Sequence, residues 1–145
     1  MCIRDSNECY NELEIHKVDL KGTVLKPNMV IPGSECKDKS NAEEIAKKTL
    51  DCLKKNVPSD VPGIAFLSGG QSESEATENL NLINKKNNTN FIMTYSYGRA
   101  LQQSALKVWS KNIKDIEGTQ KTFNHRAKMC TLAAQGKWVR ELESK

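Results

Sequence analysis

Short apolar runs alternate along this chain with longer stretches whose apolar residues recur every three or four positions. The runs GTVL (residues 22–25), IAFLS (64–68) and FIMTYS (91–96) are rich in β-branched and aromatic residues, which predicts three strands. The periodic stretches predict helices. One covers about 42–55 with Ile45, Ala46, Leu50 and Leu53 on one face, and a second, after GGQSESEATENLNLINK, carries Ala76, Leu80 and Ile83. A third, about 99–111, is expected to bury Leu101, Ala105, Val108 and Trp109; a fourth, about 119–135, presents Phe123, Ala127, Cys130 and Ala134. End signals agree: Asn41 can cap the first with Glu44 at capping-box spacing, Ser72 and Glu75 do the same for the second, and Gly136 can close the fourth. Ahead of the first strand, residues 8–16 read as the end of another helix.

Helices and strands in strict alternation are the rhythm of parallel βα units. Three strands cannot close a barrel, and alone they leave two unprotected edges. The chain is therefore a small open α/β sheet or part of something larger. The first six residues, MCIRDS, lead into no element that follows and are too short and polar for a signal peptide, so they are expected to be a leader foreign to the domain.

Composition narrows the partners. At 37% hydrophobic and 28% charged, a chain of 145 residues reads as one soluble globular domain. The net charge of +4 is spread over scattered lysines with no basic run interleaved with aromatics, which argues against nucleic acid and suits a small anion. No apolar run approaches the roughly 20 residues that span a membrane. The five cysteines (Cys2, Cys9, Cys36, Cys52 and Cys130) are odd in number and widely spaced, which predicts reduced thiols in a cytoplasmic protein. The two histidines, His16 and His125, stand far apart in no metal-ligand pattern, so neither a metal nor another cofactor is expected.

The polar residues fall where each strand ends. Lys26 follows the first strand, Ser68-Gly69-Gly70 the second and Ser96-Tyr97-Gly98-Arg99 the third. In parallel α/β proteins that edge binds ligands. Glycines before a helix let an anion approach backbone N–H groups and the helix dipole. Arg99 in a first helical turn runs against the dipole, which hints at a bound anion. Each feature also has a plain reading: Lys26 as the first solvated residue, Gly-Gly as a turn, Arg99 as a surface cation. Together, two adjacent glycine loops beside a strand-end lysine suggest a phosphate pocket with a nucleophilic amine.

The segments GTVLKPNMV, EEIA, VPGIAFLSGGQSESEAT with the following NLN and IN, YSYGRALQQSALKVW and AAQGK together resemble the class I fructose-bisphosphate aldolase family, in register from about residue 10 to 137. The resemblance implies an α/β fold, the C-terminal part (strands 6–8 and flanking helices) of a TIM (β/α)8 barrel, with a leader at 1–6, a partial barrel domain at 7–137 and a tail at 138–145. It implies that Lys26 forms a Schiff base with the ketose C2 carbonyl, that Ser68, Gly69 and Gly70 grip the sugar phosphate, and that Ser96, Gly98 and Arg99 form a second phosphate loop. Tyr97 is read as packing only. An attacking amine must be partly neutral, which predicts a restricted pocket for Lys26 near other cations. The parent would be a cytoplasmic, glycolytic homotetramer acting without metal. By the same resemblance the first five strands, with the acid/base carboxylates, are absent from this chain, and Glu73 and Glu75 lie outside the catalytic set. The alternatives are a non-catalytic phosphate-binding or interaction module from the same barrel, or a barrel enzyme using these loops for another reaction.

Overall fold

A computed structural model describes residues 3–37 and 40–144, with side chains from Asp5 onward; residues 1 and 2 of the expected leader, Cys2 among them, and residue 145 of the expected tail lie outside these. Three parallel strands, β1 (Val24–Leu25), β2 (Gly63–Phe66) and β3 (Ile92–Tyr95), lie side by side in chain order. Val24 pairs with Gly63, which pairs with Ile92, so Ala65 stands opposite Thr94 one layer on. The strands occupy the expected places but are shorter. At the start of β1, Gly22 closes a 3-10 turn from Leu20, held by the Thr23 hydroxyl donating to the Leu20 carbonyl at 2.7 Å. At its end Pro27 brings no N–H to a ladder. Two further bonds carry the pairing past the strands: Leu67 N–H to the Pro27 carbonyl at 3.0 Å and Ser96 N–H to the Phe66 carbonyl at 2.8 Å.

Five helices accompany the sheet: α1 (Ile3–Ile15), α2 (Ala42–Asn56), α3 (Glu73–Lys86), α4 (Arg99–Lys111) and α5 (Ile116–Ala134). The start of α1 corrects the expectation that the first residues lead nowhere. The sequence from Ile3 onward contains no glycine or proline to stop a helix, and Asp5 suits its first turn. Asn41 caps α2 as expected by accepting from Glu44 N–H at 2.8 Å, but the Glu44 carboxylate turns to Lys48 at 2.7 Å. Hydrogen bonds from Lys48 and Ser40 hold that carboxyl below its usual range. The reciprocal capping box forms instead at Ser72 and Glu75. Helix α5 begins three residues earlier than expected because Asp115 takes the cap, accepting from Gly118 N–H at 2.9 Å. It closes at Gly136, whose φ of +67° lets Lys137 N–H return to the Leu132 carbonyl at 2.8 Å.

The core lies on one side of the sheet. Ile64, Phe66 and Met93 point into the helix layer, where Leu53, Leu80 and Ile83 are fully buried. Each such side chain contributes about 1.5–3 kcal/mol. The other face carries Val24, Ala65, Ile92 and Thr94, and Val24 and Ile92 are 65% and 75% exposed. All the sheet's apolar stabilisation therefore comes from the helix side. Trp109, expected in the core, is half exposed, as α4 buries Ala100 and Ala105 and leaves Leu106 and Trp109 on its outer side. Leu101 and Val108 are only partly covered.

Residues 138–144 fold back on α3 and α5. Trp138 is buried, its backbone N–H donating to Asn81 Oδ1 at 3.0 Å and its indole to Glu143 at 2.9 Å. Arg126 on α5, also buried, donates to both Glu143 oxygens at 2.8 Å and to the Thr77 hydroxyl at 3.0 Å.

Candidate active site

The three chemistry-bearing segments gather at the C-terminal edge of the sheet because the strands are parallel and in register. Lys26 continues β1 one residue beyond Leu25, which puts it level with Ala65 and Thr94 on the open face. Its side chain is exposed, where sequence reasoning expects a restricted pocket. The reason is the one-sided packing: the helices cover the opposite face.

The loop after β2 is built more tightly. Ser68 is buried, and Gly69 and Gly70 adopt φ of +58° and +84°. The glycines do not sit directly on a helix N-terminus, as the sequence suggests; Gln71 and the cap Ser72 intervene, and the first turn of α3 is occupied by its own capping box. What shapes this loop is side-chain hydrogen bonding. Gln71 donates from its amide to the Ser68 carbonyl at 2.8 Å and to the Met29 sulfur at 3.7 Å, and it accepts from Asn79 at 2.6 Å. Asn28, two residues past Lys26, presses its side chain against Gly69: a Cβ there would lie 2.0 Å from Asn28 Oδ1. That oxygen is buried and has no hydrogen-bond partner among the described residues.

The loop after β3 differs. Gly98 caps α4 with no side-chain hydrogen bond, and no acid occupies the first turn. Arg99 is exposed and makes no ion pair among the described residues. Beside it Tyr97 is buried and donates to the Ala76 carbonyl at 2.9 Å, which ties the loop to α3; burial pushes its hydroxyl well above the usual range. Tyr97 thus packs, as expected. Glu73, at the start of α3, accepts from the Ser104 backbone N–H at 2.9 Å and also from its hydroxyl.

Strand-end lysine, glycine loop and glycine–arginine loop come together at one edge, an amine on the same edge as two glycine loops. Sequence reasoning missed Asn28, Gln71 and Asn79. All three stood inside the segments that carried the resemblance, but nothing in a single sequence marks an amide that holds a loop from behind.

A family model described as fructose-bisphosphate aldolase class-I matches residues 5–145. Among curated relatives, the chain is 51% identical over 129 residues to fructose-bisphosphate aldolase 4, cytosolic, of Arabidopsis thaliana, covering 88% of this chain and 33% of that protein. It is 50% identical over 130 residues to fructose-bisphosphate aldolase C of Rattus norvegicus, covering 89% and 36%. A solved structure of fructose-bisphosphate aldolase from Plasmodium falciparum, in complex with TRAP and a small-molecule inhibitor, superposes with a TM-score of 0.90 at 38% identity, over 94% of this chain and 40% of that one. The chain thus spans roughly a third to two-fifths of the length of these relatives. Its three parallel strands and their helices are the C-terminal part, strands 6–8, of a (β/α)8 barrel, and the chain belongs to the class I fructose-bisphosphate aldolase family.

Proposed function

We propose that this chain supplies the Schiff-base lysine and both phosphate loops of a class I fructose-bisphosphate aldolase, which reversibly cleaves fructose 1,6-bisphosphate to dihydroxyacetone phosphate and glyceraldehyde 3-phosphate in cytoplasmic glycolysis. The observation that carries the reading is the position of Lys26, on the open sheet face and joined to the Ser68–Gly70 loop through the Leu67–Pro27 hydrogen bond. Lys26 attacks the ketose C2 carbonyl and water leaves, giving an iminium. As a base from the rest of the barrel takes the C4 hydroxyl proton, the C3–C4 electrons flow toward that nitrogen and the aldehyde departs; the enamine is protonated at C3 and water hydrolyses the iminium, releasing dihydroxyacetone phosphate and the free Lys26 amine. Ser68, Gly69 and Gly70 hold one end of the substrate by backbone N–H groups. Ser96, Gly98 and Arg99 hold phosphate through the uncapped start of α4 and a guanidinium. The assembled enzyme is a homotetramer, and the walls that confine Lys26 come from the rest of the barrel.

The chain alone is therefore expected to give no turnover. Joined behind the preceding portion of the Arabidopsis thaliana relative, residues 5–145 should restore cleavage, and borohydride with dihydroxyacetone phosphate should add covalently at Lys26. Lys26→Met should bring the chimera to background. An active chimera that borohydride never traps at Lys26 would remove the Schiff-base role.

A further inference from the structure

We infer that Gln71, held by Asn79, is the positioning residue that aims the Gly69 N–H at an anion, an inference that rests on the phosphate-loop reading above. The Ser68 carbonyl accepts twice from Gln71, from its backbone N–H at 3.1 Å and its side-chain amide at 2.8 Å. In a trans peptide unit the carbonyl and the following N–H point in opposite directions. Fixing the Ser68 carbonyl toward Gln71 therefore turns the Gly69 N–H away from it. Neither Gly69 nor Gly70 donates its N–H to another group among the described residues, so both donors remain available.

Two contacts make the lock stiff. Asn79, buried on α3, donates to Gln71 Oε1 at 2.6 Å, which fixes the amide's orientation so that its NH2 faces Ser68. The same NH2 reaches the Met29 sulfur at 3.7 Å, so the loop is referenced to the segment that follows Lys26. From the other side Asn28 packs its side chain against Gly69. The glycine loop thus stands between two amides, those of Gln71 and Asn28.

The test is a titration of the aldolase chimera described above, isotopically labelled, with inorganic phosphate, following the amide signals of Gly69 and Gly98. With the native residues in place both should move, Gly69 downfield as its N–H meets the anion. In Gln71→Met, which keeps the side-chain bulk and removes the amide, affinity should fall by about tenfold, the value of one hydrogen bond to a charged group. At saturating phosphate the Gly98 shift should be retained and the Gly69 shift lost. Asn79→Ser, tested independently, should give an intermediate loss at Gly69. A Gly69 shift unchanged in both variants overturns the inference and leaves the phosphate-loop reading intact. Equal loss at Gly69 and Gly98 also overturns it, since Gln71 would then merely support the fold. If the chimera with native residues shows no phosphate response at either glycine, the phosphate-loop reading fails and takes this inference with it.

Discussion

At Gly69 two independent constraints disfavour any other residue. A Cβ would meet the Asn28 side chain at 2.0 Å, and the φ of +58° is strained for every residue with a side chain. At Gly70 only the backbone constraint applies, since a Cβ there meets open space. The pair makes an internal comparison. Gly70→Ala should cost about 1 kcal/mol, and Gly69→Ala about 2–3 kcal/mol because Asn28 must also move. Urea denaturation of the two variants checks this. Equal midpoints would show that Asn28 yields freely and does not wedge the loop.

Among the elements, the C-terminal segment and α5 are joined by the pair of buried Arg126 with part-buried Glu143. Burial alone would raise the Glu143 carboxyl, but the two Arg126 hydrogen bonds and its charge, the Trp138 indole and nearby His125 outweigh it and hold the group below the usual range. A carboxylate lowered on folding adds stability in full above its unfolded value of about 4.3, and that stability disappears as pH falls through the lower folded value. Glu143→Gln should therefore cost on the order of 3 kcal/mol at neutral pH, because Arg126 is left buried without its counter-charge. The difference from the native chain should shrink toward zero in acid, read as urea midpoints across pH; a difference independent of pH would assign it to packing alone. This pair also marks how far the sequence is legible. Helix periodicity placed α2, α3 and α4 nearly to the residue, the first two with cap signals at Asn41 and Ser72 and α4 by its apolar spacing alone. It could not place Trp109 outside or Trp138 inside, because helix α4 offers more apolar surface than its neighbours α3 and α5 cover, while Trp138 is buried through partners at Asn81 and Glu143. Lys26 and the two loops were legible because parallel strands deliver their ends to one edge. The amides of Asn28, Gln71 and Asn79 were not, because their roles depend on contacts that no spacing encodes.

On the scale of the whole molecule the sheet is half-dressed. One face is packed by helices; the other shows Val24 and Ile92, and its strands β1 and β3 both present an unpaired edge. The outer side of α4, the turn after it and the start of α5 add Leu106, Trp109, Ile113 and Ile116, each at least half exposed. Apolar surface of this extent drives association when nothing covers it, and parallel edges offer a template for it. The chain by itself should therefore self-associate. Two lysines on the open face, Val24→Lys with Ile92→Lys, should shift it toward monomer in sedimentation while the far-ultraviolet circular dichroism stays the same, because neither residue contributes to the helix-side core. The same pair placed in the aldolase chimera should abolish activity, since in a closed barrel those positions are filled by interior side chains. A native chain that sediments as a monomer and melts cooperatively would show that the open face is tolerated. The non-catalytic binding module would then become the better account of the chain on its own, with the glycine loops still serving an anion and Lys26 left as a surface cation.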